Sequence, residues 1–199
     1  MTEPIAILIG GVPGAGKTTL AIKLANELGI KEVIDTDNIR QVMRIYDKNP
    51  ILHSVTHDCW KFFGEKTDEN SIQGFTAHTE LLHEAIIEIL RYNLRRNTSI
   101  IIEGVHVTPD LLEKIDFAVS YFHISVSDEN EHLQRLQAKK CCGVCWQQNF
   151  SVIRKTQDWL VSECLNRKIP VIENKSVDAV IADIIPHVHN VNRLRLCQG

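Results

Sequence analysis

Ile5-Ala6-Ile7-Leu8-Ile9-Gly10-Gly11-Val12-Pro13-Gly14-Ala15-Gly16-Lys17-Thr18 is the stretch on which the fold turns. Five apolar residues in a row, closed by two glycines, read as a strand buried on both faces. From Lys17 to Leu28 the apolar residues Leu20, Ile22, Leu24, Ala25 and Leu28 follow mostly helical spacing, and Gly29 supplies a stop. Between them, Gly11–Thr18 matches G-x-x-x-x-G-K-[ST] at every fixed position, in the strand-to-helix setting the pattern requires. Glycines let the backbone wrap phosphate groups with its N–H donors, and the helix N-terminus adds partial positive charge. Lys17 is expected to reach the β- and γ-phosphates of a nucleoside triphosphate, and the Thr18 hydroxyl to ligate Mg²⁺. The expected nucleotide-binding set is Gly11, Gly14, Ala15, Gly16, Lys17, Thr18 and Thr19.

Outward from this stretch the pattern keeps alternating. Glu32–Asp35 reads as a second strand and Asn38–Tyr46 as a second helix, with Asp37 as its cap. Residues 47–76 are irregular and read as an insert carrying some helix. A long helix is expected from Ala77 to Arg96, burying Leu81, Leu82, Ala85, Ile86, Ile89 and Leu90. Ser99–Ile102, Val119–Val126 and Ile169–Ile172 read as further strands, and Phe150–Asn166 and Val177–His187 as helices. Ser127–Gln148 is polar and studded with cysteines. Strands alternating with helices predict an α/β fold of three layers, a five-stranded parallel sheet wrapped on both faces. Residues 47–76 are expected to bind an acceptor and 127–148 to form a lid, within one domain spanning 1–199.

Composition narrows the partners. With 199 residues, 44% of them apolar and 24% charged, the chain falls in the globular range and wholesale disorder is excluded. The net charge of −3 argues against a chain held mainly by nucleic-acid phosphates or anionic lipid, and no extended basic stripe is present. No apolar run approaches the ~18 residues of a membrane span. The run Ile5–Ile9 is short and lacks the basic flank of a signal peptide. Six cysteines without a secretory signal read as free thiols, and the expected location is the cytoplasm.

Carboxylates come next. Asp35 and Asp37 point the same way at the end of the second strand, where parallel sheets present ligands. Asp37 would accept the proton of an attacking hydroxyl or merely cap the helix, Asp35 would hold Mg²⁺, and the two could trade places. Glu103 ends the buried run Ile100-Ile101-Ile102, where it would order the metal's water shell, orient the acceptor or serve in a structural ion pair. His106 binds an acidic substrate or is a satisfied buried histidine.

Arg40 and Arg44 share a helix face, either gripping an anionic acceptor bidentately or facing solvent. His53 and His57 have the spacing of a helical zinc pair with Cys59 nearby, against acceptor-binding or structural roles. Cys141, Cys142 and Cys145 contain one C-x-x-C, open to zinc, redox chemistry or plain thiols. Arg135, Lys139, Lys140, Arg154 and Lys155 either close over transferring phosphates or form a solvated basic face. The expected catalytic set is Lys17, Asp37 and Arg154, the last as lid cation. The expected metal set is Thr18, Asp35 and Glu103, and the acceptor set is Asp37, Arg40, Arg44, His53, Glu103 and His106.

In their order, these segments resemble the archaeal 2-phosphoglycerate kinases, a branch of the P-loop small-molecule kinases. The matching pieces are Gly10–Thr19, Ile34–Arg44, Leu52-His53-Ser54, Gly74-Phe75, Ile101–His106 with Pro109, Ile153-Arg154 with Gln157-Asp158, and Pro170–Asn174. The resemblance implies a P-loop kinase fold and ATP- and Mg²⁺-dependent phosphorylation of the 3-hydroxyl of 2-phosphoglycerate, giving 2,3-bisphosphoglycerate. Arg40 and Arg44 would then hold the acceptor's carboxylate and phosphate. Kinases for another hydroxy acid, a nucleoside or a nucleotide stay open, as does a P-loop switch protein without an acceptor. The Asp35/Asp37 pair favours a kinase over a switch.

Overall fold

The computed structural model describes residues 3–139 and 146–196, with side chains over 3–139 and 148–188. Strand β1 (Ala6–Gly10) leads into helix α1 (Lys17–Leu28), followed by β2 (Glu32–Asp35), α2 (Thr36–Tyr46) and the short α3 (Pro50–His53). A 3-10 helix (Thr56–Phe62), the long α4 (Asp68–Arg95), β3 (Ile100–Glu103), a second 3-10 helix (Pro109–Lys114) and β4 (Ser120–Ser125) come next. The chain closes with α5 (Glu129–Ala138), α6 (Trp146–Asn166), β5 (Val171–Glu173) and α7 (Val177–Leu196). The five strands form one parallel sheet in the order β2-β3-β1-β4-β5. Fold class is therefore as expected.

Alternation along β1 explains its unbroken apolar run. Ile7 and Ile9 face α1 and α7, packing with Leu20, Leu24, Val180 and Ile184. Ala6 and Leu8 face the opposite layer, where α4 contributes Leu82, Ile86 and Leu90. α1 carries the chain outward from β1 to the edge strand β2, and α4 brings it back to β3. Right-handed crossovers travelling in opposite directions must lie on opposite faces, which gives three layers. Among the described residues no helix is long and apolar enough to cross a membrane.

Several boundaries differ from the sequence reading. α4 starts at Asp68, not Ala77, because the Thr67 side chain accepts from Asn70 N at 3.1 Å and caps it, with Asp68 and Glu69 in the first turn. Gly74 lies inside this helix, at a point where a side chain would strike the backbone of Cys59 and Trp60. The polar stretch 127–148 holds α5, capped by Asp128, whose carboxylate accepts from Glu131 N at 2.7 Å. α6 begins at Trp146 and α7 runs to Leu196. Lys140, Cys141, Cys142 and Cys145 lie outside the described residues.

Candidate functional site

At the carboxyl end of β1, Gly16 caps α1 in the left-handed region (φ 87°), a conformation that L side chains rarely adopt. Asn174 steadies the loop by donating from Nδ2 to the Ala15 carbonyl at 2.7 Å. Gly11 and Ala15 are buried within the loop, and Thr18 and Thr19 are exposed at its rim. Lys17 is only 6% exposed, and its Nζ donates to the Val12 carbonyl at 3.0 Å. Burial brings its pKa down to about 8, against the opposing pull of Glu103.

A cavity of about 240 Å³ opens beside this lysine. Thr18, Asp35, Asp37, Arg40 and Glu103 line it, and the 47–76 segment adds Val55, Thr56 and His57. Asp35, not Asp37, caps α2: its Oδ1 accepts from Asp37 N at 2.8 Å. That leaves the Asp37 carboxylate projecting from the first turn, with Arg40 Nη2 3.4 Å from its Oδ1. Arg40 is almost fully buried and donates from Nη1 to the Ser54 carbonyl at 3.0 Å, while its Nε has no partner.

Glu103 is 1% exposed, and its Oε1 is buried without a partner. Burial pushes its pKa up, opposed by Lys17 and a hydrogen bond with Thr18; burial likewise raises Asp35. Two desolvated carboxyl groups, one carrying an orphaned oxygen, beside the Thr18 hydroxyl make an all-oxygen set that suits Mg²⁺. Among the described residues no three His, Cys, Asp or Glu side chains form a metal cage. Mg²⁺ needs none, because it keeps waters and substrate phosphates as ligands. The zinc alternative at His53, His57 and Cys59 finds no support. His53 Nε2 bonds to the Asp47 carbonyl at 2.9 Å, and Cys59 turns its thiol to the Val55 carbonyl, its pKa pushed up to about 11 by burial.

A second cavity, about 460 Å³, lies on the other side of the loop between Gly14, Gly16, Thr19, Arg135 and Asn174. Arg135 Nη2 donates to the Asn174 carbonyl at 2.7 Å.

Not every expected residue reaches a cavity. Arg44 and His53 meet each other at 3.4 Å on the exposed side of α2. His106 is fully buried one layer behind the cavity, where its Nδ1 bonds with Thr36 Oγ1 at 2.8 Å and its ring lies 5.1 Å from that of His78. Burial lowers both histidines, His78 to about 4, so both are neutral imidazoles near pH 7. Arg154 lines neither cavity; its guanidinium donates to the Val126 and Ser127 carbonyls at 2.5 and 3.1 Å. Asn174, which the sequence reading has only as the end of the matching piece Pro170–Asn174, and His132, which it did not single out, act on loop residues 159 and 119 positions away. No local pattern gives either of them this role.

The family model described as an AAA domain matches residues 7–143. The chain belongs to the AAA domain family. This AAA domain chain is similar to the 2-phosphoglycerate kinase of Methanococcus maripaludis strain C5, 33% identical over 193 residues, covering 89% of this chain and 62% of that protein. It is similar to the Methanopyrus kandleri 2-phosphoglycerate kinase too, at 32% identity over 94% of this chain and 61% of that protein. The expected resemblance is thus borne out, and the chain spans about three fifths of the length of these curated relatives. Among solved structures, a gluconokinase from Sinorhizobium meliloti 1021 superposes with TM-score 0.61 at 12% identity, covering 100% of this chain and 99% of that one. Shikimate kinase from Acinetobacter baumannii gives 0.54 at 18%, covering 95% and 94%. At these identities the structures establish the AAA domain chain's fold alone.

Proposed function

We propose that the chain is an ATP- and Mg²⁺-dependent kinase that transfers the γ-phosphoryl group to a hydroxyl of a small anionic acceptor, with 2-phosphoglycerate as the first candidate and 2,3-bisphosphoglycerate as its product. One juxtaposition carries this reading: Lys17, Asp37 and Arg40 line a single cavity beside the phosphate-binding loop. The similarity to 2-phosphoglycerate kinases supports the choice of acceptor.

Loop N–H groups and Lys17 bind the phosphates. Thr18, Asp35 and Glu103 would hold Mg²⁺, which when bound supplies charge neutralisation at the phosphates. Asp37 accepts the acceptor's hydroxyl proton. The freed oxygen bonds to the γ-phosphorus, the bond to the β–γ bridging oxygen breaks, and ADP leaves with that electron pair. Arg40 binds the acceptor's carboxylate or phosphate from the cavity wall. Residues 47–76 form the acceptor side of this one-domain kinase and 127–148 its lid. Positioning and charge account for most of the catalysis.

ADP release from Mg·ATP across a panel of small hydroxy acids, sugars and nucleosides tests the reading. We expect strong stimulation by 2-phosphoglycerate, falling by about 10²- to 10⁴-fold in Asp37→Asn, the range of a lost general base, with ATP affinity retained. Stimulation by a different compound would keep the kinase and discard the named acceptor. ATP binding or hydrolysis indifferent to every compound would favour a nucleotide switch.

A further inference from the structure

α5 places His132, Arg135 and Leu136 at i, i+3 and i+4, on one face of the helix that lies along the phosphate-binding loop, and Lys139 follows as its C-terminal cap. The fully buried His132 ring bonds through Nε2 to the Pro13 carbonyl at 2.7 Å. A carbonyl only accepts, so Nε2 carries the proton and Nδ1 is an acceptor, approached by Arg154 Nη1 at 3.4 Å. Phe150 packs edge-on against the ring at 5.5 Å. Leu136 is buried with Val12, Phe75 and Ile153. Gly14 completes the fit, since a Cβ there would lie 2.8 Å from the His132 ring and 2.9 Å from Leu136.

With the helix set in this register, Lys139 falls between the two cavities. Among the described residues it alone borders both. Its charge is felt at Lys17, Asp35 and Glu103. On the phosphoryl-transfer reading above, the phosphoryl group passes to the acceptor within the smaller cavity, which Lys139 lines. As the acceptor oxygen bonds to phosphorus and the bridging oxygen departs with ADP, negative charge stays on the three peripheral oxygens. An ammonium beside the reacting group stabilises that charge.

We propose that α5 is a preset arm: His132, a positioning residue, registers it on the phosphate-binding loop, and Lys139, a catalytic residue, neutralises the phosphoryl group in transit. Lys139 keeps its proton throughout, the hydroxyl proton passing to Asp37. The inference rests on the phosphoryl-transfer reading above. It gives Lys139 the part that the sequence assigned to Arg154, whose guanidinium is occupied by backbone carbonyls.

Turnover and calorimetric binding of Mg·ATP and Mg·ADP to the full chain test it. Lys139 is exposed, so Lys139→Ala folds. We expect this variant to lose about 10²-fold in kcat, the size of one transition-state donor, with acceptor KM within about twofold. It should bind Mg·ATP more weakly and Mg·ADP as before, and Lys139→Arg should restore most of the rate. His132→Leu, which keeps the packing and loses the donor, should weaken both nucleotides alike and raise the KM for ATP; His132→Asn, which can still donate, should recover. Unchanged kcat in Lys139→Ala, or equal losses for ATP and ADP, overturns the role of Lys139. A folded His132→Leu with unaltered nucleotide affinity overturns the anchor, and if that variant does not fold, Lys139→Ala decides the proposal alone. A wild-type chain that turns over no acceptor overturns the kinase reading instead, and the ATP-against-ADP comparison still decides Lys139.

Discussion

The two walls of the smaller cavity meet charge in different ways. On the loop wall a single contiguous stretch, Gly11–Thr19, presents backbone N–H groups, and one cation, Lys17, is folded back onto a loop carbonyl. On the facing wall, Asp37 and Arg40 come from α2 and Thr56 and His57 from the 3-10 helix, and Arg40 is tied to the Ser54 carbonyl. The loop wall is built from backbone and tolerates few changes, since every triphosphate offers it the same oxygens. Side chains from separate segments build the facing wall, and on the proposed reading that wall selects the acceptor. Changes to the loop wall, and to the proposed base Asp37, should strike the chemical step, and changes to the rest of the facing wall should show mainly in acceptor KM.

Lys17→Ala should have the largest effect. We expect turnover to fall by about 10³-fold or more, the scale of a lost phosphate-bound cation, measured at saturating acceptor. Retained turnover would break the comparison, because the loop wall would then work without its cation. Arg40→Ala should leave the KM for ATP unchanged and raise that for the acceptor by about 10- to 100-fold, as for a lost charge-assisted hydrogen bond. A rise in the KM for ATP of the same size would merge the two walls.

Lys17 also sets a pH signature. In the nucleotide-free protein its pKa lies at about 8 because burial disfavours the ammonium, with Glu103 opposing. Phosphates favour the charged form, so binding above that pH must take up a proton. Calorimetric affinity for Mg·ATP should be flat below pH 8 and fall about tenfold per unit above it, a slope that Lys17→Ala abolishes. Arg44→Ala should have the smallest effect, under about fivefold on acceptor KM, because Arg44 faces His53 on the outer side of α2. A larger rise would place the acceptor beyond the cavity's edge.

Much of the fold was legible in the sequence because its signals are local. An apolar run, a glycine loop and a helical stripe follow one another directly from Ile5 to Leu28, and the same alternation repeats through β3. The start of α4 was hidden because its first turns bury Ser71 and Gly74 rather than an apolar stripe. α5 was hidden because only His132 and Leu136 are buried among ten mostly polar residues, too few to give a stripe. At the site, Asp35 and Asp37 were legible as a pair, but their division of labour was not. Which one caps depends on the exact residue at which β2 gives way to α2.

Sequence was therefore sufficient for the parallel α/β architecture, the phosphate-binding loop and the three acidic side chains beside it. Each follows from residues near enough in the chain for backbone geometry to relate them. The sorting of Arg40 from Arg44, the occupation of Arg154 by carbonyls, and the reach of Lys139 between two cavities required the packed molecule. Those outcomes depend on partners such as Ser54, Val126 and Pro13, which chain folding brings within hydrogen-bond range from 14, 28 and 119 residues away. No spacing rule along the chain encodes a contact of that kind, because it is set by how helices of different layers settle against one sheet.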